Sequence, residues 1–204
     1  MNRHLPRFLF PALTAAVLTL AGCASHKGEP ITQFDFGPAP QLQAASRALG
    51  PLVVADVTGS AALDNERILY RLSYADALQA RSYANSRWTA SPLAMLTQRF
   101  KTRLAQAGAK TLSETDATNG VPILRIDVDD FVQDFANTAD SAGRVAVRAS
   151  LFRGHTLVDQ RAFAHTARAT SADAAGGARA LAASTDAVAA DIAAWLGTLD
   201  LAPR

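Results

Sequence analysis

Apolar and polar positions alternate over several short segments in the first half of this chain, and their spacing predicts β-strands. In residues 31–36, Ile31, Gln33 and Asp35 alternate with Thr32, Phe34 and Phe36, and Gly37-Pro38 follows as a stop. Residues 51–57 form a β-branched run that is typical of an interior strand. Residues 68–72 predict a further strand, and we expect residues 80–83 to pair with it in antiparallel fashion.

A change to helical spacing follows at Ser91-Pro92. A serine hydroxyl accepts from free first-turn amides and proline suits the first helical position, so this pair predicts a helix start. Gly108 is the expected stop. Arg99, Lys101 and Arg103 lie off the apolar face. That face is formed by Leu93, Leu96, Phe100, Leu104 and Ala107, which recur at three- and four-residue spacing.

The second half of the chain predicts three more strands and a long final helix. Residues 121–132, 143–152 and 156–167 read as an antiparallel meander, with a turn at residues 153–155. From Ala174 the chain is alanine-rich, and we interpret Gly176-Gly177 as a loose helix start. The apolar stripe of this helix consists of Leu181, Val188, Ile192, Trp195 and Leu199, of which Trp195 is expected in the core.

Together these elements predict an α/β (α+β) fold in a single domain. The sheet is expected to be mixed and largely antiparallel, with two main helices packed on one of its faces. We assign residues 31–204 to this domain. A domain of this length can bury a stable hydrophobic core.

The N-terminus carries a different signal. A basic start with Arg3 and Arg7 precedes an apolar stretch, residues 8–20, which is too short to remain as a membrane span. The sequence Leu20-Ala21-Gly22-Cys23 resembles the lipobox of bacterial lipoproteins. That resemblance implies cleavage before Cys23, a diacylglycerol on its sulfur and a further acyl chain such as palmitate on the new amine. The alternative is an ordinary secretory signal followed by a buried cysteine.

The lipobox interpretation divides the N-terminal region into a signal peptide, residues 1–22, and an acylated tether, residues 23–30. Several acyl chains would make membrane residence effectively permanent. Ala24 stands where inner-membrane lipoproteins carry aspartate, so the analogy with lipoprotein sorting predicts the periplasmic face of the outer membrane.

Composition narrows the functional classes. The chain has 20 Lys and Arg against 18 Asp and Glu. Cleavage would remove Arg3 and Arg7 and no acid, leaving 18 of each. A mature protein near neutrality does not favour nucleic-acid binding, which needs clustered positive charge. With its single cysteine acylated, the domain has no disulfide and no cysteine metal site.

Catalytic and metal-binding motifs are absent from the sequence. The four histidines are scattered without metal-ligand spacing, and there is no Gly-x-Ser-x-Gly motif. We therefore predict no enzyme, no metal and no cofactor beyond the lipid on Cys23. In the acidic segment 127–134, strand alternation favours a solvated sheet face paired with Arg144 or Arg148. An envelope hydrolase that uses Asp127 and Asp129 is a weaker alternative.

Four residues are candidates for partner binding. Arg87 and Trp88 precede the helix cap, where an indole beside a guanidinium suits an interface anchor. Core packing is the favoured alternative for Trp88, because large aromatics are usually buried. Tyr70 and Arg71, with the nearby Tyr74, lie close to a strand end, where the sequence does not separate binding from packing.

The order of these motifs resembles a known family. A lipobox, a strand at residues 34–38, Tyr70-Arg71, and Arg87-Trp88 ahead of the 91–108 helix are similar to the ABC-type transport auxiliary lipoprotein family, which includes PqiC-type intermembrane transport lipoproteins. The resemblance implies a non-enzymatic periplasmic component that works with an MCE-domain protein and its ABC transporter in lipid transport. A homo-oligomer is compatible with this role. A structural lipoprotein that binds cell-wall polymer is the alternative.

Overall fold

The computed structural model describes residues 29–41, 48–116 and 119–201. The signal peptide, Cys23 and most of the tether lie outside these residues. Every element described belongs to one compact unit, Ile31–Arg204. The strands are β1 (Thr32–Phe34), β2 (Gly50–Val54), β3 (Thr58–Gly59), β4 (Arg67–Arg71), β5 (Ala80–Trp88), β6 (Ala109–Leu112), β7 (Ile123–Phe135), β8 (Ser141–Arg153) and β9 (Thr156–Arg168), and the helices are α1 (Pro92–Gln106) and α2 (Ala174–Leu196).

Among the described residues, strand β7 is the centre of a nine-stranded mixed sheet. One edge of β7 pairs with β8 along its length, and β9 follows β8, both in antiparallel fashion. The other edge pairs in parallel with β2, β3 and β4 in turn. Strand β6 adds beside β2, while β5 and β1 lie beyond β4. The predicted fold class, the meander and the antiparallel β4–β5 pair are therefore confirmed.

A β-bulge in β7 changes the alternation that the sequence suggests. The register with β8 shifts between Val128 and Asp130, so that Asp129 is an extra residue. Before the bulge the even-numbered residues from Leu124 face the core, and after it the odd-numbered residues from Phe131 do so. This shift brings Gln133, a fully buried polar residue, under the helices.

Helix α1 follows the predicted pattern. The Ser91 hydroxyl accepts a 3.4 Å hydrogen bond from the Ala94 amide, and Gly108 adopts a positive φ of 91° after the helix ends. Leu96, Phe100 and Leu104 are fully buried, which confirms the apolar face.

Two arginines that lie off this apolar face are also buried, because the facing helix α2 supplies an acid. Asp186 on α2 accepts from Arg99 Nε at 2.7 Å and Nη2 at 2.8 Å, and Arg103 Nε lies 3.2 Å away. The same guanidinium groups donate to the backbone carbonyls of Gly37 and Pro40. One carboxylate thus joins the two helices and the segment that follows β1.

The glycine pair at the start of α2 is a close-packing site, which corrects its interpretation as a loose start. A Cβ atom on Gly177 would lie 2.0 Å from Gln133 Oε1. A Cβ on Gly143 of β8 would lie 2.5 Å from the Leu181 backbone nitrogen. The Ser184 hydroxyl also donates to the Gly143 carbonyl at 2.7 Å. Helix and sheet backbones therefore approach closely along α2.

Candidate interaction surface on the open sheet face

The sequence-derived partner residues lie on the neighbouring strands β4 and β5, and the structure divides them between two faces. Successive side chains of a strand point to opposite faces of the sheet. Tyr70 and Trp88 point to the helix-covered face, where they pack against other aromatic rings. Arg71 and Arg87, their immediate neighbours, therefore point to the opposite face, which we call the open face.

Trp88 is part of the hydrophobic core. Only 1% of its surface is exposed, and its ring lies 5.6 Å from Phe36 and 5.9 Å from Phe131 between centroids. A side chain enclosed in this way presents nothing to a partner. The interpretation of Trp88 as a surface anchor is therefore corrected, and the packing alternative accounts for it. Trp195 is likewise buried, and its Nε1 donates to Asp159 at 2.8 Å.

Tyr70 belongs to an aromatic group under the start of α2. Its ring centroid lies 4.7 Å from that of Tyr83 and 5.9 Å from that of Phe135. The Tyr83 hydroxyl donates to Gln133 Oε1 at 2.9 Å. Burial, with smaller contributions from Tyr70 and Asp173, raises the pKa of Tyr83, so its phenol remains a neutral donor. This arrangement gives Tyr70 a packing role.

Two arginines lie opposite each other on the open face. Arg67 of β4 is the cross-strand neighbour of Arg87 of β5. Arg67 is exposed and Arg87 is half-buried. Within residues 29–41, 48–116 and 119–201, neither guanidinium forms an ion pair or a hydrogen bond with another residue. Like charges placed directly opposite each other are destabilising, so a nearby negative charge would stabilise this pair.

Arg71 lies on the same side of β4, because Arg67, Leu69 and Arg71 alternate with Ile68 and Tyr70. Its buried Nε has no hydrogen-bond partner in the part of the chain that the structure describes. Burial raises the pKa of Asp130, and the charge of Arg71 is one of those that oppose this rise. We name Arg67, Arg71 and Arg87 the arginine strip.

Two further arginines of the open face, Arg144 and Arg148, are paired with acids, whereas Arg125 lies over the Phe152 ring with its guanidinium carbon 5.0 Å from the ring centroid. Arg144 lies 3.1 Å from Asp134 and 3.5 Å from Asp130. Arg148 lies 3.8 Å from Asp129. These pairs confirm the solvated, cross-paired interpretation of the acidic segment in β7. Burial raises the pKa of Asp130, and the attraction of Arg144 and then Arg71 opposes that rise.

The carboxylates considered for hydrolysis have structural partners. Asp127 accepts a hydrogen bond from the Thr58 hydroxyl, and Asp129 faces Arg148. Over the described ranges, no three His, Cys, Asp or Glu side chains lie close enough to hold a metal ion. Neither helix of the described domain has the length and hydropathy that crossing a membrane requires.

Sequence reasoning found the correct two strands but missed Arg67. The pairing of β4 with β5 is irregular: Leu69 pairs with Ser82, and two residues earlier Arg67 pairs with Arg87. The extra residues in β5 place two arginines opposite each other. The sequence pattern does not predict this register between β4 and β5.

Comparisons with known proteins agree with the fold. The family model described as ABC-type transport auxiliary lipoprotein component matches residues 34–193. The crystal structure of a Xanthomonas campestris protein of the DUF330 family is 21% identical, with a TM-score of 0.64, and the match covers 83% of this chain and 95% of that one. A second crystal structure, of an uncharacterized protein, is 15% identical with a TM-score of 0.67, covering 82% and 99%. Curated proteins give no significant match.

Proposed function

Because this chain belongs to the ABC-type transport auxiliary lipoprotein family, we propose that it is a non-catalytic docking component of an intermembrane lipid transport system. Membership makes it a lipoprotein component auxiliary to ABC-type transport. The proposal adds a lipid anchor at Cys23 and the periplasmic face of the outer membrane as its location. It also adds an MCE-domain protein, with its ABC transporter, as the partner.

The observation that carries the docking role is the pair Arg67 and Arg87 within the arginine strip, because neither guanidinium has an ion pair or a hydrogen bond in the described ranges. Arg67 and Arg87 face each other without an acid among the described residues, while Arg144 and Arg148 on the same face have acids. An acidic surface of a partner would relieve this repulsion and would supply the missing acceptors. Arginine is enriched at the residues that dominate interface energies, and charge complementarity sets partner choice.

A non-enzymatic role agrees with the use of the candidate catalytic groups. Asp127 and Asp129 are engaged by a hydroxyl and a guanidinium, and both belong to the cross-strand network of the sheet. General acid–base catalysis requires a carboxyl that is oriented towards a substrate and a nucleophile. Here the carboxylates hold strands together.

Reversing the charge of the strip tests the proposal. The double variant Arg67→Glu/Arg87→Glu is expected to weaken copurification with the MCE-domain partner at least about tenfold, corresponding to about 1.4 kcal/mol. Both side chains point away from the core, so the unfolding midpoint in urea should stay close to that of the native protein. The measurement is a quantitative pull-down from detergent-solubilised membranes.

The matched control is Arg161→Glu/Arg179→Glu, which changes the net charge equally at two exposed residues, on β9 and α2, that lie away from the open face. This control should copurify with the partner as the native protein does. Equal recovery of the partner by both double variants would refute docking through the strip. Retention of the native protein on isolated peptidoglycan, lost in Arg67→Glu/Arg87→Glu, would favour the cell-wall alternative instead.

A further inference from the structure

The turn between β4 and β5, residues 72–79, exposes apolar side chains. Leu78 is 94% exposed and Tyr74 is 47% exposed. The turn is held in place: the Leu72 carbonyl accepts from the amides of Ala75 and Asp76, and Asp76 accepts from the Leu78 amide at 2.9 Å. The Ser73 hydroxyl donates to Asp134. An ordered turn that keeps two large apolar side chains in water is a candidate contact surface.

The chain enters the domain from the same end of the sheet. Strand β1 runs parallel to β5, with Thr32 opposite Ser86. Residues before Thr32 therefore come from the side of Ala80, where the 72–79 turn joins β5. The chain thus enters β1 at the end of the sheet that carries Leu78.

The number of residues between Cys23 and β1 limits the distance between the turn and a lipid on Cys23. Nine residue steps separate Cys23 from Thr32, and even fully extended they span only about 30 Å. From the level of Thr32, β5 extends six residue steps back to Ala80, or about 20 Å towards the same end. The turn adds its own height to this distance. When the domain is oriented with this end of the sheet towards the anchored lipid, Leu78 therefore lies at the surface of the bilayer.

We propose that the 72–79 turn is a membrane-contact element that inserts Leu78 into the surface of the phospholipid bilayer carrying the anchor. Tyr74 suits the headgroup level, because its ring is apolar and its hydroxyl is polar. Exposed Arg81, whose Nε donates to Gln79 at 2.6 Å at the base of the turn, supplies a cation for lipid phosphates. Such a contact would fix the orientation of the domain. The proposal depends on the lipid anchor and not on docking through the arginine strip.

A matched control lies at the opposite end of the sheet. Leu157 is 49% exposed and Val158 is 40% exposed. They follow the β8–β9 turn, which lies beside the start of β7, since Ile123 pairs with Phe152. The 72–79 turn lies beside the end of β7, since Tyr70 pairs with Gln133. The bilayer cannot contact both ends in one orientation.

The test places one fluorescent probe at each end of the sheet. The mature lipoprotein, with Leu78→Cys or Leu157→Cys labelled by an environment-sensitive dye, is reconstituted into vesicles of phosphatidylethanolamine and phosphatidylglycerol that contain a doxyl-labelled lipid. The single native cysteine carries the anchor and does not compete for the dye. Flotation with the vesicles verifies the anchor separately.

The probe at position 78 should emit at shorter wavelength and be quenched severalfold more than the probe at position 157. Tyr74→Ser should reduce that quenching without affecting recovery of the MCE-domain partner. Equal, water-like emission from both positions would overturn the proposal. Protection at position 78 that arises only when the transport partner is added would overturn it too, because the occupant would then be a protein.

Discussion

Replacing Asp186 by asparagine is expected to destabilise the domain by about 3–5 kcal/mol, because it leaves two buried guanidinium groups without their common carboxylate. Arg99 and Arg103 are both almost fully buried, and Asp186 is the acid within 3.2 Å of each. Urea unfolding followed by circular dichroism measures the loss as a lower midpoint.

The control for this prediction is Asp191→Asn, which removes the same charge from an exposed position one and a half turns further along α2. Its effect should stay within about 0.5 kcal/mol. Equal midpoints for the two variants would contradict the ion-paired junction between the helices. Partial recovery on adding Arg99→Met and Arg103→Met to Asp186→Asn would support it, since the unpaired charges would be gone.

The second large effect concerns Trp88. Trp88→Ala should cost about 3–5 kcal/mol, because it removes a fully buried indole from its contacts with Phe36 and Phe131 and leaves a cavity. Trp88→Phe, which keeps an aromatic ring, should cost clearly less. The free energy of unfolding from denaturant titration gives both values.

The adjacent position provides the control. Arg87→Ala changes a side chain on the other face of the same strand and should alter stability by no more than about 0.5 kcal/mol. A Trp88→Ala protein with native stability would mean that the indole is not core, and the division of β5 into a core face and an open face would fail.

Local patterns predicted most of the fold. The Ser91-Pro92 start and the Leu96, Phe100 and Leu104 spacing identify α1 because capping and helical periodicity are short-range properties. The three strands that form the meander were visible for the same reason. Local patterns do not predict the burial of Arg99, because its partner Asp186 lies 87 residues away in the chain. Periodicity treats every arginine as a surface residue, and only tertiary pairing overrides that.

The candidate site was predictable only at the level of strands. The pairs Tyr70-Arg71 and Arg87-Trp88 indicate β4 and β5 as candidate binding strands. Strand alternation, however, places the two members of each pair on opposite faces of the sheet. Arg71 and Arg87 therefore remain on the open face, while Tyr70 and Trp88 pack inside. Arg67 joins them through an irregular register. Strand irregularities of this kind depend on the whole sheet and leave no signature in one strand.

Site-specific photocrosslinking in intact cells tests the docking role most directly. A benzophenone amino acid in place of Arg87 should form an adduct with the MCE-domain protein or another subunit of the ABC transport system, identified by mass spectrometry. The same photoreactive group in place of Arg161, exposed on β9, should give no such adduct. Adducts of equal yield from both positions, or adducts from position 87 to peptidoglycan alone, would contradict docking through the arginine strip.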